Sequence, residues 1–325
     1  MIPAKLKEGD EVRIVSPAES MTMIAKDQQE LAIHRLESLG LKVSYSKYIE
    51  DKPSILSSKI DNRISDLHDA FKDPHVKAIL TTIGGFDSNQ LLRYLDYELI
   101  AENPKILCGY SDITALANAI YHKTGLVTYS GPHFSTFGMK KGADYTIEYL
   151  KKAFLASDPF LIPQAEDWSD DPWFIDQENR HFHPNSGYLV IQEGEAQGRS
   201  IGGNLCTLNL LHGTEFMPSL EGSILFLEDD EMTIPETFDR DLQSLIHQPG
   251  FEKVKGFIIG RFQSKSSITS SHLKEIISTK QELSHIPVIA NASFGHTTPQ
   301  FTFPIGGSTE LKAGKNHTTL KIDMH

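Results

Sequence analysis

The sequence predicts an α/β protein of two domains. Its 325 residues are about twice the usual size of one domain, so two hydrophobic cores are expected. In the first half, short apolar runs alternate with stretches of helical periodicity, a pattern typical of strands and crossover helices around a parallel sheet. A second such set begins after Gly187. We therefore expect an N-terminal α/β domain over residues 1–164, a connection over residues 165–186 and a C-terminal domain over residues 187–325.

Apolar runs and their spacing place the elements of the first half. Gly40 is expected to close one helix, and Asp73 with Pro74 to follow another. The predicted strands are residues 11–16, 42–46, 76–83, 105–110 and 127–130, and the clearest helices are residues 26–39 and 60–71.

The second half shows the same alternation, with turn residues near its end. The last 23 residues, from Phe303, resemble a β-hairpin with glycine and asparagine turns. The predicted strands are residues 223–227, 256–259 and 286–290, and the predicted helices are residues 204–213, 237–247 and 271–282.

Composition and charge exclude several classes of protein. The chain carries 43 acidic and 31 basic side chains, and a formal charge of −12 lacks the basic footprint of a nucleic-acid binder. No run approaches the roughly 20 apolar residues that span a bilayer, and charged residues occupy the start where a signal peptide needs an apolar segment. We therefore expect a cytoplasmic protein. Cys108 and Cys206 lack metal-ligand spacing and are expected to be buried apolar residues.

Residues 165–185 break the periodicity. They are rich in acids and prolines and contain both tryptophans of the chain, Trp168 and Trp173. A long irregular connection in a compact protein is usually functional or a linker. Two interpretations stay open: a lid over a binding site, or a solvated acidic linker whose aromatic side chains fill a groove on the protein's own surface.

The stretch KILCGYSDIT, which starts at Lys105, joins a predicted strand to a predicted helix. Apolar residues recur at helical spacing from Ile113, so Ser111 lies at the turn between the two elements. A serine there can cap the helix or act as a nucleophile at the positive end of the helix. Gly109 permits a sharp turn, as in a nucleophile elbow, but Ile113 departs from the G-x-S-x-G pattern.

A glycine pair ends the preceding predicted strand. Gly84 and Gly85 allow the backbone to approach a ligand closely, and we expect a helix carrying the leucines of residues 91–95 to follow. The carboxyl ends of parallel strands meet at one crevice. The N–H groups of Gly85 and Asp112 could therefore form an oxyanion hole together.

A serine nucleophile needs a base and an acid that orients the base. An apolar strand of the second half ends at Glu228, and a later one runs into a loop that carries His296. Neutral His296 could take the proton of Ser111 while Glu228 holds the imidazole tautomer.

The acids that follow Glu228 have two other interpretations. Asp229, Asp230 and Glu231 could form a solvated turn, or they could bind a metal together with His181 and His183. The sequence contains no HExxH or comparable ligand spacing, so no metal and no cofactor are expected.

Several motifs resemble one known family. GYSDIT, GGNL followed by LHGT, ILFLED, TFDRDLQSLI, GFIIGRF and FGH occur in the same order in the serine peptidase family of LD-carboxypeptidases and microcin C self-immunity peptidases. The resemblance spans residues 6–307. It implies a Rossmann-like N-terminal domain that carries the nucleophile, a C-terminal domain of swivelling β/α type, and a homodimer.

The resemblance also implies roles for individual residues. Ser111 corresponds to the nucleophile, Glu228 to the orienting acid and His296 to the general base of a metal-free triad. The backbone of Gly85 and of Asp112 corresponds to the oxyanion donors.

Two local features bear on the substrate. The LD-carboxypeptidase branch usually has arginine before the glycine pair, where this chain has Ile83. The insertion with Trp168 and Trp173 looks like the loop that closes over the nucleotide in the microcin branch, since aromatic side chains stack on bases. We expect these tryptophans and Gly84 to bind substrate.

These features favour a microcin C immunity-like peptidase that cleaves the amide between an aspartyl-type residue and a nucleotide-like group. The alternative within the family is a cytoplasmic LD-carboxypeptidase acting on murein tetrapeptides. The alternative from another class is a non-catalytic module that holds an anionic ligand at helix N-termini.

Overall fold

The computed structural model describes residues 1–51 and 57–325. The elements of the first half alternate strand and helix as predicted. They are β1 (Glu11–Val15), α1 (Lys26–Ser38), β2 (Lys42–Tyr45), α2 (Ile60–Lys72), β3 (Val76–Thr81), α3 (Tyr97–Glu102), β4 (Ile106–Gly109), α4 (Ile113–Thr124), β5 (Thr128–Ser130) and α5 (Asp144–Leu155).

The second half opens with short strands and continues with longer ones. Its elements are β6 (Phe160–Leu161), β7 (Asp167–Trp168), β8 (His183–Pro184), β9 (Leu189–Gln192), β10 (Gly194–Asn204), α6 (Leu205–Asn209), β11 (Ser223–Glu228), α7 (Pro235–Ile246), β12 (Gly256–Gly260), α8 (Ser270–Ser278), β13 (Val288–Ala292), β14 (Phe303–Ile305), β15 (Ser308–Ala313) and β16 (Thr319–Met324).

The first sheet has the strand order β14-β5-β4-β3-β1-β2, in which β1 to β5 are parallel. All four residues of β4 are buried, because helices cover both faces of such a sheet. The first eight residues of α4 are buried as well, since this helix also packs against β10 and α6 of the second half. This confirms the expected α/β class and the parallel sheet that leads into the Ser111 turn.

The second sheet has the order β6-β16-β15-β10-β11-β12-β13-β9. Strands β10 to β13 form a parallel centre, and antiparallel strands extend it on both sides. The predicted C-terminal hairpin is present as β15 and β16. The carboxyl ends of β10 to β13 therefore lie along one edge, as those of the first sheet do.

The two sheets exchange strands. Strand β14 follows most of the second half in sequence but pairs antiparallel with β5 of the first sheet. Strand β6 lies within residues 1–164 but pairs with β16 of the second sheet. Each half of the chain therefore contributes one short strand to the sheet of the other half.

The prediction of an α-helix directly after the glycine pair is wrong. A single 3-10 turn at Ser88–Leu91 stands there, and the next α-helix is α3. The Ser88 N–H donates to the Asp112 carboxylate at 2.9 Å, and the Ser88 hydroxyl donates to the Asp112 carbonyl at 2.7 Å. Side-chain bonds of this kind compete with helical backbone bonds.

The two cysteines, which were both expected to be buried, differ in exposure. Cys108 is buried, but Cys206 in the short helix α6 is exposed, although its neighbours Leu205 and Thr207 are buried. Across residues 1–51 and 57–325, no helix combines the length and apolar character needed to cross a membrane.

Candidate active site

The turn between β4 and α4 holds Ser111 in a strained conformation. Its φ of 57° lies in the left-handed region, which costs a residue with a side chain about 1–3 kcal/mol. The helix cap position belongs to Asp112, and its side chain makes no capping bond. A Cβ at Gly109 would overlap the Thr81 hydroxyl, so the sharp turn needs glycine there.

Ser111, His296 and Glu228 are joined by hydrogen bonds. The Ser111 Oγ lies 3.1 Å from His296 Nε2, and His296 Nδ1 lies 2.7 Å from Glu228 Oε2. Glu228 ends β11 with 2% exposure, and His296 stands in the loop after β13. The structure thus brings together the three side chains that the sequence pointed to, and the Ser111 side chain bonds the imidazole rather than capping α4.

The charge around His296 sets its protonation. Burial alone would lower the pKa of His296, but the Glu228 carboxylate, with Asp230 and Asp229 beyond it, outweighs burial and raises that pKa to about 8. The imidazolium that forms when a serine loses its proton is therefore well stabilised here.

Gly84 lies directly beside the serine, and Gly85 follows it against Ala18. A Cβ on Gly84 would come within 3.0 Å of the Ser111 Cβ, and a Cβ on Gly85 within 2.9 Å of the Ala18 Cβ. In the described part of the chain, the N–H groups of Gly85 and Asp112 have no hydrogen-bond acceptor. Two free backbone donors next to a serine hydroxyl and a helix N-terminus suit a developing oxyanion.

A second histidine, His133, packs beneath the serine turn. Its ring stacks on Tyr110 at 4.3 Å, and the Tyr110 ring meets His296 edge-on at 5.3 Å. His133 Nδ1 lies 2.7 Å from the Thr81 hydroxyl. Burial, with a smaller effect of His296, lowers the pKa of His133 to about 3, so it stays neutral.

His133 was not among the predicted site residues, although the sequence contains a signal for it. The residue follows β5 at the carboxyl end of the first sheet, the same position that pointed to Ser111 after β4.

The acids after Glu228 have separate surroundings. Asp229 is buried and accepts a hydrogen bond from the Asn204 amide at 3.1 Å, and burial, with Glu228 beside it, raises its pKa to about 6. Glu231 pairs with Lys265 at 2.9 Å. Neither a wholly solvated turn nor a shared ligand set describes them.

The histidines of the rival metal interpretation lie elsewhere. His183 packs against Trp168 at 5.0 Å, and His181 is exposed beside Asp171. Within residues 1–51 and 57–325, no three His, Cys, Asp or Glu side chains are grouped so that they could hold a metal ion.

The connection over residues 165–186 is anchored beside His296. Strands β7 and β8 pair at its base. Ser169 exchanges two backbone hydrogen bonds of 2.8 Å with Thr298, two residues beyond His296. The Trp168 ring lies 4.8 Å from the guanidinium carbon of Arg261, a contact that occupies one face of the indole.

The tip of the connection lies against the first half of the chain. The Gln28 amide donates to the Phe174 carbonyl at 3.0 Å, and the Gln177 amide donates to the Gly138 carbonyl at 2.8 Å. Trp173 is half-buried here, next to Phe174 and Ile175, which are 60% and 76% exposed. Apolar side chains this exposed are available for contact with a ligand.

Family models match both halves of the chain. The model described as the LD-carboxypeptidase N-terminal domain matches residues 12–131, which contain the Ser111 turn. The model described as the LD-carboxypeptidase C-terminal domain matches residues 197–311, which contain Glu228 and His296.

Individual relatives extend over almost the whole chain. YocD of Bacillus subtilis, assigned provisionally as a carboxypeptidase, is 58% identical over 325 residues, all of both chains. The microcin C7 self-immunity protein MccF of Escherichia coli is 34% identical over 94% of this chain and 91% of its own. The crystal structure of an MccF-like protein from Bacillus anthracis superposes with a TM-score of 0.99 at 55% identity over all of both chains. The chain belongs to peptidase family S66, the LD-carboxypeptidase family.

Proposed function

We propose that Ser111 is the nucleophile of a serine peptidase, with His296 as general base and Glu228 as the acid that orients it. The observation that carries this proposal is the unbroken set of hydrogen bonds from Glu228 through His296 to a strained serine at a helix N-terminus. A serine that only capped the helix would need neither His296 nor Glu228.

The reaction runs in two steps. The Ser111 oxygen attacks the amide carbonyl of the substrate while its proton passes to His296, and the N–H groups of Gly85 and Asp112 stabilise the oxyanion. His296 returns the proton to the leaving nitrogen as the amide bond breaks, which leaves an acyl-enzyme. Water then attacks the ester and gives a proton to His296. His296 passes that proton to the Ser111 oxygen as the ester bond breaks, which releases the acid and restores free Ser111.

For the substrate, we favour an aminoacyl group joined to a nucleotide-like group. Solved structures of MccF contain aspartyl sulfamoyl adenosine and glutamyl sulfamoyl guanosine, and MccF superposes on this chain with TM-scores of 0.89 and 0.88. The half-buried Trp173 and the exposed Phe174 at the tip of the connection offer a stacking surface for a base. Trp168 is the weaker candidate, because Arg261 covers one of its faces.

The second candidate is hydrolysis of murein tetrapeptides. The murein tetrapeptide carboxypeptidase of Pseudomonas aeruginosa is 27% identical over 94% of each chain. Against it stands Ile83, because arginine would be expected at this position for the terminal carboxylate.

Labelling with a fluorophosphonate tests the nucleophile. We expect wild-type protein to be labelled and Ser111→Ala to be unlabelled. Ser135→Ala, which removes a buried serine from the same half of the chain, should be labelled like the wild type. Absence of labelling in folded wild-type protein would support the non-catalytic anion-binding module instead.

Parallel incubation with two substrates tests specificity. We expect purified protein to hydrolyse aspartyl sulfamoyl adenosine and to leave a murein tetrapeptide largely intact. Release of D-alanine without attack on the nucleotide would reverse the order of the two candidates.

Two tryptophan variants test the role of the connection. Trp173→Ala should raise KM for the nucleotide substrate about 5- to 150-fold, as expected when about 1–3 kcal/mol of base stacking is lost. Trp168→Ala should act mainly on thermal stability, because its ring packs on Arg261. Equal effects of both variants on KM would contradict this assignment.

The homodimer and the cytoplasmic location remain predictions from the family resemblance and the sequence. Light scattering of the purified protein and fractionation of cells that express it would check them.

A further inference from the structure

The helix that begins beside Ser111 is tied to the second sheet by buried hydrogen bonds. The Thr114 hydroxyl accepts from the Asn204 N–H at 3.0 Å. The Asn118 amide donates to the Gly202 carbonyl at 2.8 Å and accepts from the Gly202 N–H at 3.3 Å. Thr114 and Asn118 are 2% and 0% exposed, so water does not compete for these bonds. We call this set of residues, Thr114, Asn118 and Gly202–Asn204, the clasp.

The glycines of the clasp permit this close approach. A Cβ on Gly203 would come within 2.5 Å of the Thr114 hydroxyl, and the φ angles of Gly202 and Gly203 are 125° and 129°. Residues with side chains rarely adopt such angles. The glycines of the GGN sequence at the end of β10 thus allow the backbone to pack directly against helix α4.

The clasp meets the strand that carries the acid. Asn204 is the direct neighbour of Glu228 in the parallel pairing of β10 with β11. The Asn204 amide also donates to Asp229, the residue after Glu228. Ser111 and Glu228 are therefore connected by two routes. One passes through the first turn of α4, from Thr114 to Asn204 and on to its strand neighbour Glu228. The other passes through His296.

We propose that Thr114 and Asn118 are positioning residues for the reaction, which set the distance between Ser111 and His296. The two partners come from different sheets, and a 3.1 Å bond between them holds only if the sheets keep one relative placement. Displacement of reacting groups by about 1 Å can cost about 100-fold in rate. The inference rests on the proposed function, since it assigns these residues a role in aligning Ser111 with its base.

Variants of Thr114 separate positioning from simple loss of stability. Thr114→Val keeps the shape of the side chain but removes the acceptor for Asn204, and Thr114→Ser keeps the hydroxyl. We expect Thr114→Val to lower kcat and the rate of fluorophosphonate labelling about 10- to 100-fold, with KM for aspartyl sulfamoyl adenosine nearly unchanged. Thr114→Ser should restore most of the rate.

Thr128→Val is the matched control. The Thr128 hydroxyl is also buried and donates to the Ala117 carbonyl of the same helix at 2.9 Å. Both residues of this bond lie within the first sheet and its helices, so it does not join the two sheets. We expect Thr128→Val to lower the melting temperature about as much as Thr114→Val and to leave kcat close to wild type. A loss of kcat in Thr128→Val equal to that in Thr114→Val, or wild-type kcat in Thr114→Val, would overturn the inference.

Hydrogen exchange supplies a readout that does not depend on catalysis. In Thr114→Val, the backbone amides of residues 202–204 should exchange faster than in wild type, whereas in Thr128→Val they should not. Unchanged exchange at residues 202–204 in Thr114→Val would overturn the clasp even if wild-type protein proved inactive. Absence of labelling in wild type with faster exchange in the variant would instead refute the proposed function and leave the clasp as a structural contact without the positioning role.

Discussion

Replacing Glu228 by glutamine should move the pH dependence of the reaction to lower pH. In the folded protein, burial lowers the pKa of His296, and Glu228 with Asp230 and Asp229 raises it to about 8. His296 accepts the Ser111 proton only when neutral, so kcat/KM of the wild type should rise with pH and level off above about 9.

The size of the expected change in the pH profile follows from how far Glu228 and its neighbours raise the pKa of His296. A pKa of about 8 in place of the ordinary 6.5 corresponds to about 2 kcal/mol between the two protonation states. Glutamine keeps an acceptor for the Nδ1–H group but removes the nearest negative charge. Burial should therefore lower the pKa of His296 further than it does in the wild type. We expect the rising limb of the profile to move down by at least about one pH unit and the plateau rate to fall about 10²- to 10⁴-fold.

The same shift affects stability. Because the pKa of folded His296 lies above its ordinary value, the protonated imidazole stabilises the fold below about pH 6.5, and this contribution is lost as the pH rises through about 8. In Glu228→Gln the loss across this interval should be smaller, which chemical denaturation at a series of pH values would measure.

The assay is the second-order rate of fluorophosphonate labelling from about pH 5.5 to 9.5, because it reports the free enzyme. Glu221→Gln is the control: it also removes one acid, but Glu221 is 56% exposed and pairs with Lys253. Its profile should match the wild type. A wild-type midpoint below pH 7, or the same midpoint in wild type and Glu228→Gln, would refute the reasoning.

Three further outcomes are expected. Gly109→Ala should lower the melting temperature beyond Gly213→Ala. A Cβ would overlap the Thr81 hydroxyl at the first site, whereas at the second it meets nothing within 4 Å and adds only the backbone strain of a φ of 71°. Equal losses would contradict the packing argument. A chelator should leave the hydrolysis rate unchanged, and a loss restored by added Zn²⁺ would favour the rival metal interpretation. Imidazole resonances in NMR should show no titration of His133 between about pH 5 and 9, because burial lowers its pKa to about 3; a midpoint inside that range would show that the ring is hydrated.

The three side chains of the proposed triad could be predicted because each lies at or shortly after the end of a strongly apolar strand. Buried parallel strands read as continuous apolar runs, and their carboxyl ends share one edge of the sheet, so Ser111 and Glu228 could be placed near a crevice from sequence alone. His296 followed from the same rule. Their distances could not be predicted, because these depend on contacts between the sheets such as that of Thr114 with Asn204.

Other features have weak local signals. Strand β14 has three residues and contains Pro304, so neither length nor alternation marks it as a strand of the first sheet. The absent helix after the glycine pair depends on hydrogen bonds between Ser88 and Asp112, which lie 24 residues apart in the sequence. His133 follows a predicted strand, but no glycine turn with a helix start marks it in the way that the GYSDIT motif marks Ser111.

The exchange of β14 and β6 between the sheets limits how the enzyme can admit its substrate. A hinge that opened the cleft by rotating one half away from the other would have to strip β14 from β5 or β6 from β16, and would break the bonds of Asn118 to Gly202. Moving the tip of the connection, residues 173–180, would break surface hydrogen bonds such as those of Gln28 and Gln177, but no strand pairing. Entry and product release are therefore expected to depend on movement of this tip, while the polypeptide around Ser111 and His296 behaves as a single rigid frame.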